Sequence, residues 1–229
     1  GQISAIPGAG VRDHDIQKLR PSTWLNDEVI NFYMRLIQLR SDLAVTRRKE
    51  QSKKWRAFWD VHIFNSYFWQ KFSSQGYAGV SKWTRRVDIF KKDLVLIPIN
   101  MNDTHWICAA INLRRRRFEL YDSMATSHAT GSTFFRKLRQ YLAAEYCDKK
   151  GKSSADDLFL DDSWTDHFSE ESPQQANGSD CGVFATMTLE QLSRRDPTTG
   201  DAGEDEDEEW NFSQGNMLYL RRRMVYEIA

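Results

Sequence analysis

The period of apolar and polar positions changes along the chain and marks out its elements. Residues 1–10 are small and rich in Gly and Pro, the pattern of a flexible lead-in. Leu25-Asn26-Asp27-Glu28 then opens a helical pattern in which Val29, Tyr33, Leu36 and Ile37 recur on one face. Asn26 suits the N-cap of that helix, and Asp27 and Glu28 suit the positive end of its dipole. The basic stretch Arg47 to Arg56 reads as a solvated loop or helix end, and Asn65 to Ser74 as a second helix closed by Gly76. Three apolar runs of strand length follow, Leu94 to Ile99, His105 to Asn112 and Phe118 to Asp122. Helical spacing returns at Thr133 to Tyr146, through Phe134, Leu138, Tyr141, Leu142 and Tyr146, and again at Asp180 to Leu192 and Met217 to Ile228. Asp148 to Asp162 reads as a polar linker. Asp196 to Gln214 carries seven acidic residues between Asp201 and Glu209, the signature of a mobile surface insert. Helices, then strands, then helices, without an internal repeat, predict one α+β domain over residues 11–229 with a mostly antiparallel central sheet flanked by helices.

Composition removes several function classes. With 229 residues, 40% of them apolar and 28% charged, the chain has the make-up of a soluble globular protein with a substantial core. Its longest uninterrupted apolar run, Trp106 to Ile111, falls far short of the roughly 20 residues that span a bilayer, so no membrane insertion is expected. Lys and Arg number 32 against 32 Asp and Glu, and zero net charge argues against nucleic acid as a partner. Cys108, Cys147 and Cys181 are three in number, widely spaced, and without CxxC spacing, which argues against a disulfide framework or structural zinc. No metal or cofactor is expected, and a reducing compartment is.

One of those cysteines has chemical surroundings. Pro173-Gln174-Gln175-Ala176-Asn177-Gly178-Ser179-Asp180-Cys181-Gly182 runs straight into an apolar helix, so Cys181 stands at a helix N-terminus, where unpaired N–H groups favour thiolate over thiol. Gly178 reads as a site for an unusual backbone angle, and Gly182 as cleared space beside the sulfur. Gln175 lies upstream, where its amide can serve a developing oxyanion. A thiol nucleophile needs a base, and the base an orienting group. A hairpin turn centred between Leu113 and Arg114 sets Ile107 opposite Leu120, Ala109 opposite Phe118 and His105 opposite Asp122. That register supplies both groups at one end of the sheet. His14, His62, His128 and His167 have no carboxylate so placed, and Cys108, inside a strand, and Cys147, at a helix end, read as structural. The Arg114 to Arg117 run reads as the solvated tip of the hairpin.

These segments together resemble the SUMO-specific cysteine proteases. His105-Trp106 opens a strand, Tyr121-Asp122-Ser123 closes the next, Gln174-Gln175-x-Asn177-Gly178-x-Asp180-Cys181-Gly182 enters a helix, and Trp24 to Glu28 precedes Phe32-Tyr33 in the first helix. The likeness extends from Val11 to about Met224, with Gly79-Val80, Trp83-Thr84 and Leu96-Ile97-Pro98-Ile99 as its central segment. It implies a papain-like, adenain-like fold, with Cys181 as nucleophile, His105 as general base and acid, Asp122 as the orienting carboxylate and Gln175 as oxyanion donor. It also implies that Trp24 and Trp106 form a slot over the modifier's C-terminal Gly-Gly, that Asp27 pairs with a basic residue on the modifier, and that SUMO and SUMO-conjugated proteins are the partners. A nuclear location, the envelope or pore included, follows from the resemblance alone, and a monomer is the default expectation. The acidic insert has no counterpart in the compact family pattern, and Ala176 stands where that pattern has proline, a change that loosens the oxyanion loop without removing its donor. The rival readings are a protease for another ubiquitin-like modifier, a modifier-binding module that does not cut, and a nucleic-acid binder using Arg47 to Arg56 and Arg114 to Arg117.

Overall fold

The structure is a computed structural model that describes residues 1–50, 58–124, 128–151, 163–168, 172–194 and 210–229. Most of the basic stretch from Arg47 to Arg56, most of the Asp148 to Asp162 linker and most of the acidic insert lie outside the described residues.

A five-stranded sheet runs through the centre in the order β3 (Val61–Ile63), β4 (Leu94–Met101), β5 (His105–Asn112), β6 (Arg117–Tyr121), β7 (Thr165–Phe168). The two inner pairings are antiparallel, as the hairpin pattern predicts, and the two outer strands add in parallel. Alternate residues feed two cores. Leu94, Leu96, Trp106, Cys108, Ala110 and Tyr121 face one way, towards α2 (Asp27–Glu50), α5 (Cys181–Leu192) and α6 (Met217–Ile228). Val95, Ile97, Ile107, Ala109, Ile111, Phe118 and Leu120 face the other way, towards α3 (Tyr67–Val80) and α4 (His128–Lys150). Burial on both faces explains why the strands read as continuous apolar runs instead of alternating ones.

Several expectations are met element by element. Asn26 caps α2, its side-chain carbonyl accepting the Val29 N–H at 3.3 Å, and its amide donates to buried Asp15 at 2.7 Å. In α3, Gly76 breaks the helical geometry at φ 62°, ψ −163°, and the chain then resumes a helical turn to Val80.

Others need correction. Residues 1–10, read as a loose lead-in, supply β1 (Gln2–Ile6) and the start of β2 (Ala9–Arg12), a hairpin followed by the short helix α1 (Asp13–Ile16). Val11 at its end is fully buried in the core beside α2. The β5–β6 register is also two residues from the expected one: Ala109 faces Leu120 and Ile111 faces Phe118. The cause is a longer turn. Asn112 pairs with Arg117, its side-chain oxygen accepts the Arg115 N–H at 3.0 Å, and Arg116 takes a left-handed φ of 51°, so four residues make the connection. Arg114, Arg115 and Arg116 are the exposed tip, but Arg117 folds back onto buried Glu119 at 2.9 Å. No described helix is long and apolar enough to cross a membrane.

Candidate active site

A displacement of two residues leaves strand parity unchanged, so His105 and Asp122 still share a face, as diagonal instead of direct neighbours. They meet. His105 Nε2 lies 2.7 Å from Asp122 Oδ1, and the carboxylate is buried. The same oxygen accepts the Met124 N–H at 2.8 Å, which fixes Asp122 just beyond the end of β6. Since an ionised carboxylate only accepts, Nε2 carries the proton, and Nδ1 of the neutral ring offers a lone pair. That Nδ1 is buried and makes no hydrogen bond. Burial alone pushes the imidazole pKa down. The hydrogen bond to Asp122 and the adjacent Cys181 outweigh burial and raise it to about 9.

Cys181 is the first residue of α5, almost fully buried, with Asp180 at the N-cap. The Asp180 carbonyl accepts the Val183 and Phe184 N–H groups at 2.9 and 3.0 Å, so the helix starts directly behind the sulfur. Asp180 itself is locked. Arg221 of α6, 2% exposed, donates through Nε and Nη2 to Asp180 Oδ1 at 2.9 and 2.7 Å and also reaches the carbonyls of Arg20, Thr23 and Ser179. Hydrogen bonds from Asn177, Gln214 and Arg221 overcome the opposing effect of burial and hold the Asp180 pKa below the ordinary carboxylate value.

Gln175 is tied to the strand end that carries Asp122. Its backbone N–H donates to the Ser123 carbonyl at 2.8 Å, and Ser123 Oγ donates to its side-chain carbonyl at 2.6 Å. With the oxygen end of the amide occupied, its NH₂ end is the free donor, and one of its protons goes to the Asn177 carbonyl.

The two tryptophans differ. Trp106 is a buried core residue whose Nε1 donates to the Leu25 carbonyl at 3.1 Å. Trp24 is 49% exposed and lies against the 176–180 loop, with Nε1 donating to the Gly178 carbonyl at 2.7 Å. Together with Asp27, His105 and Cys181 they line one cleft of about 180 Å³. Asp27 accepts a hydrogen bond from Ser66 and also borders a larger groove of about 780 Å³ that runs past Tyr67, Trp69, Met101 and Lys137. Both glycine expectations change. Gly178 has no left-handed φ, and what it contributes is its carbonyl. At Gly182 a Cβ would come within 2.9 Å of Leu25 Cβ, so the missing side chain makes room for the segment beside Trp24 and not for substrate.

Of the residues named from sequence, Trp24, Asp27, His105, Trp106 and Cys181 line the cleft, whereas Asp122 reaches it through His105 and Gln175 is not among its lining; sequence reasoning missed the groups that hold the loop, Ser123, Gln214 and Arg221. Ser123 sits in the Tyr-Asp-Ser run, but nothing in the sequence pattern links Gln214 or Arg221 to a loop so far upstream. A buried thiol at a helix start, beside an imidazole whose free nitrogen is basic and whose other nitrogen is held by a carboxylate, is equipped for nucleophilic attack and proton transfer.

The chain is 39% identical over 215 residues to a sentrin-specific protease of Caenorhabditis elegans, covering 94% of this chain and 26% of that protein. It is 37% identical over 216 residues to human sentrin-specific protease 2, covering 93% of this chain and 31% of that protein. It therefore spans about a quarter to a third of the length of these relatives. Among solved structures, the C-terminal Ulp1 protease domain in complex with SMT3, the yeast ortholog of SUMO, shares the fold, with a TM-score of 0.73 and 24% identity over 100% of this chain and 86% of that one. Residues 23–229 match the Ulp1 protease family, C-terminal catalytic domain, and the chain belongs to that family.

Proposed function

We propose that this chain is a thiol protease domain that cuts after the C-terminal Gly-Gly of SUMO, maturing precursors and releasing SUMO from lysine isopeptide conjugates. The observation that carries the reading is the buried Cys181 at the start of α5 in a cleft shared with Trp24, Trp106 and His105, in a chain of the Ulp1 family. His105, raised to about 9, holds the proton given up by the Cys181 thiol as an imidazolium, and the Cys181 thiolate attacks the carbonyl carbon after Gly-Gly. The carbonyl oxygen becomes an oxyanion that the Gln175 NH₂ group and the helix N-terminus stabilise. When the tetrahedral intermediate collapses, His105 gives its proton to the leaving amine and a thioester remains. Water, deprotonated by His105, then hydrolyses the thioester to a carboxylate and restores the thiol. Asp122 keeps the ring in the tautomer that this sequence requires.

The slot between Trp24 and Trp106 selects residues without a Cβ, and Asp27 with the adjoining groove receives the body of the modifier. A nuclear location and a single domain over residues 11–229 belong to the same proposal.

The test is intact mass spectrometry of a SUMO precursor extended beyond Gly-Gly, incubated with this chain or with Cys181→Ser. Loss of only the extension, and only with Cys181 present, is the expected result. An intact SUMO precursor alongside cleavage of another ubiquitin-like precursor would overturn the substrate, and cleavage of none would overturn the enzyme.

A further inference from the structure

The loop that carries Gln175 has no strand ladder around it, so its geometry rests on individual hydrogen bonds. One of them comes from far along the chain. The Ala176 N–H donates to Gln214 Oε1 at 2.7 Å, and Gln214 Nε2 donates to Asp180 Oδ2 at 2.9 Å. A single amide therefore spans the loop, from the residue after the oxyanion donor to the residue before the nucleophile. Gln214 is itself held in place. It opens a 3₁₀ turn over Gln214–Asn216 in which the Ser213 N–H donates to Asn216 Oδ1 at 2.8 Å. Immediately before it, Phe212 packs on Phe184 of α5 with ring centroids 5.8 Å apart, and the Asn211 N–H donates to Gln191 at 2.9 Å. The brace is thus fixed to the nucleophile's own helix.

The bond from residue 176 needs a backbone N–H, which alanine supplies. A proline there would have no N–H to donate and would restrain the backbone through its ring instead. We propose that Gln214 is a positioning residue for the oxyanion loop, holding Gln175 in register with Cys181 through Ala176 and Asp180 and replacing the restraint that a proline would supply. This rests on the reading of the chain as a thiol protease with Gln175 as its oxyanion donor.

Gln214 is partly exposed, so its variants should fold. In steady-state cleavage of the extended precursor, Gln214→Met is expected to lower kcat by about tenfold, less than the loss of a donor itself, with KM and the rate of Cys181 alkylation each within about twofold of the parent. Gln214→Asn, one methylene too short to reach both partners, should behave alike and serves if the Met variant is unstable. In a Gln175→Ala background the same change should cost less than about twofold, because a brace has no effect once the group it aims is gone. In an Ala176→Pro background it should also be nearly silent. An unchanged kcat in Gln214→Met, or the same tenfold loss with and without Gln175, would overturn the proposal while leaving the protease reading intact. A parent that does not cut, or a Gln175→Ala variant as fast as the parent, would instead bring down the reading on which it rests.

Discussion

One side of the candidate site, carrying His105 and Asp122, hangs from a hydrogen-bonded ladder between β5 and its neighbours, whereas the loop that carries Gln175 and leads into Cys181 is held by side chains. The ladder wall needs little help from a distance. Strand pairing brings His105 to Asp122, and a two-residue error in expected register still leaves them on one face. The loop wall depends on Ser123 just past β6 and Trp24 just before α2, with two bonds and one, and on Gln214 and Arg221 from the C-terminal end, with two and three. Repetitive backbone structure places a group with local sequence, and an irregular loop places one only with residues gathered from the whole chain.

That contrast can be broken at graded points. The largest effect is expected at the nucleophile. Cys181→Ala should abolish cleavage, a loss of at least about 10⁴-fold in kcat, as for other residues that act as a catalytic unit, while binding of a mature SUMO in a titration stays intact. Next is the deepest brace of the loop wall. Arg221→Met leaves the Asp180 carboxylate buried without its cation and should cost about 3–5 kcal/mol of folding stability, read from the urea midpoint, with activity lost in step. Gln175→Ala removes a donor and no buried charge. Its expected cost is about 10²–10³ in kcat, with the urea midpoint unmoved, and a loss below about threefold would take Gln175 out of the mechanism.

The ladder wall gives the subtlest signal, because its geometry should survive substitution. His105, raised to about 9 despite burial, stays an imidazolium to high pH, so kcat/KM should fall on the basic side with an apparent pKa near 9. Asp122→Asn removes the negative charge that, together with Cys181, raises it, and that limb should move down towards the ordinary 6.5. The same raised value makes the charged ring favour the folded state below pH 6.5, a contribution lost as the pH climbs through about 9.

The legible parts of the molecule were those with a local cause. Cys181 announced itself because an apolar helix begins at that residue, and β4, β5 and β6 because burial on both faces makes them continuous apolar runs. Strand β7, with the sequence Thr-Asp-His-Phe, and β3, three residues long, carry no such signal, since their partners and not their own side chains make them strands. The N-terminal hairpin was hidden by its Gly and Pro content, which reads as loop although Gly8, at φ 91°, forms its turn. The hairpin register escaped because Asn112 organises a longer connection than its apolar flanks suggest. The candidate catalytic set was visible, and its supports were not, because a hydrogen bond from Gln214 to Ala176 leaves no periodic trace.

The contact between Gly182 and Leu25 carries a last consequence. Leu25 follows Trp24 directly, and its carbonyl holds the Trp106 indole, so both tryptophans of the proposed slot take their spacing from how closely this segment beds onto α5. A single methyl at residue 182 would have to displace Leu25, since its nearest atom would lie only 2.9 Å away. On the proposed reading, tolerance for a bulkier residue in place of Gly-Gly is therefore gauged from behind the wall, by a glycine of the chain's own.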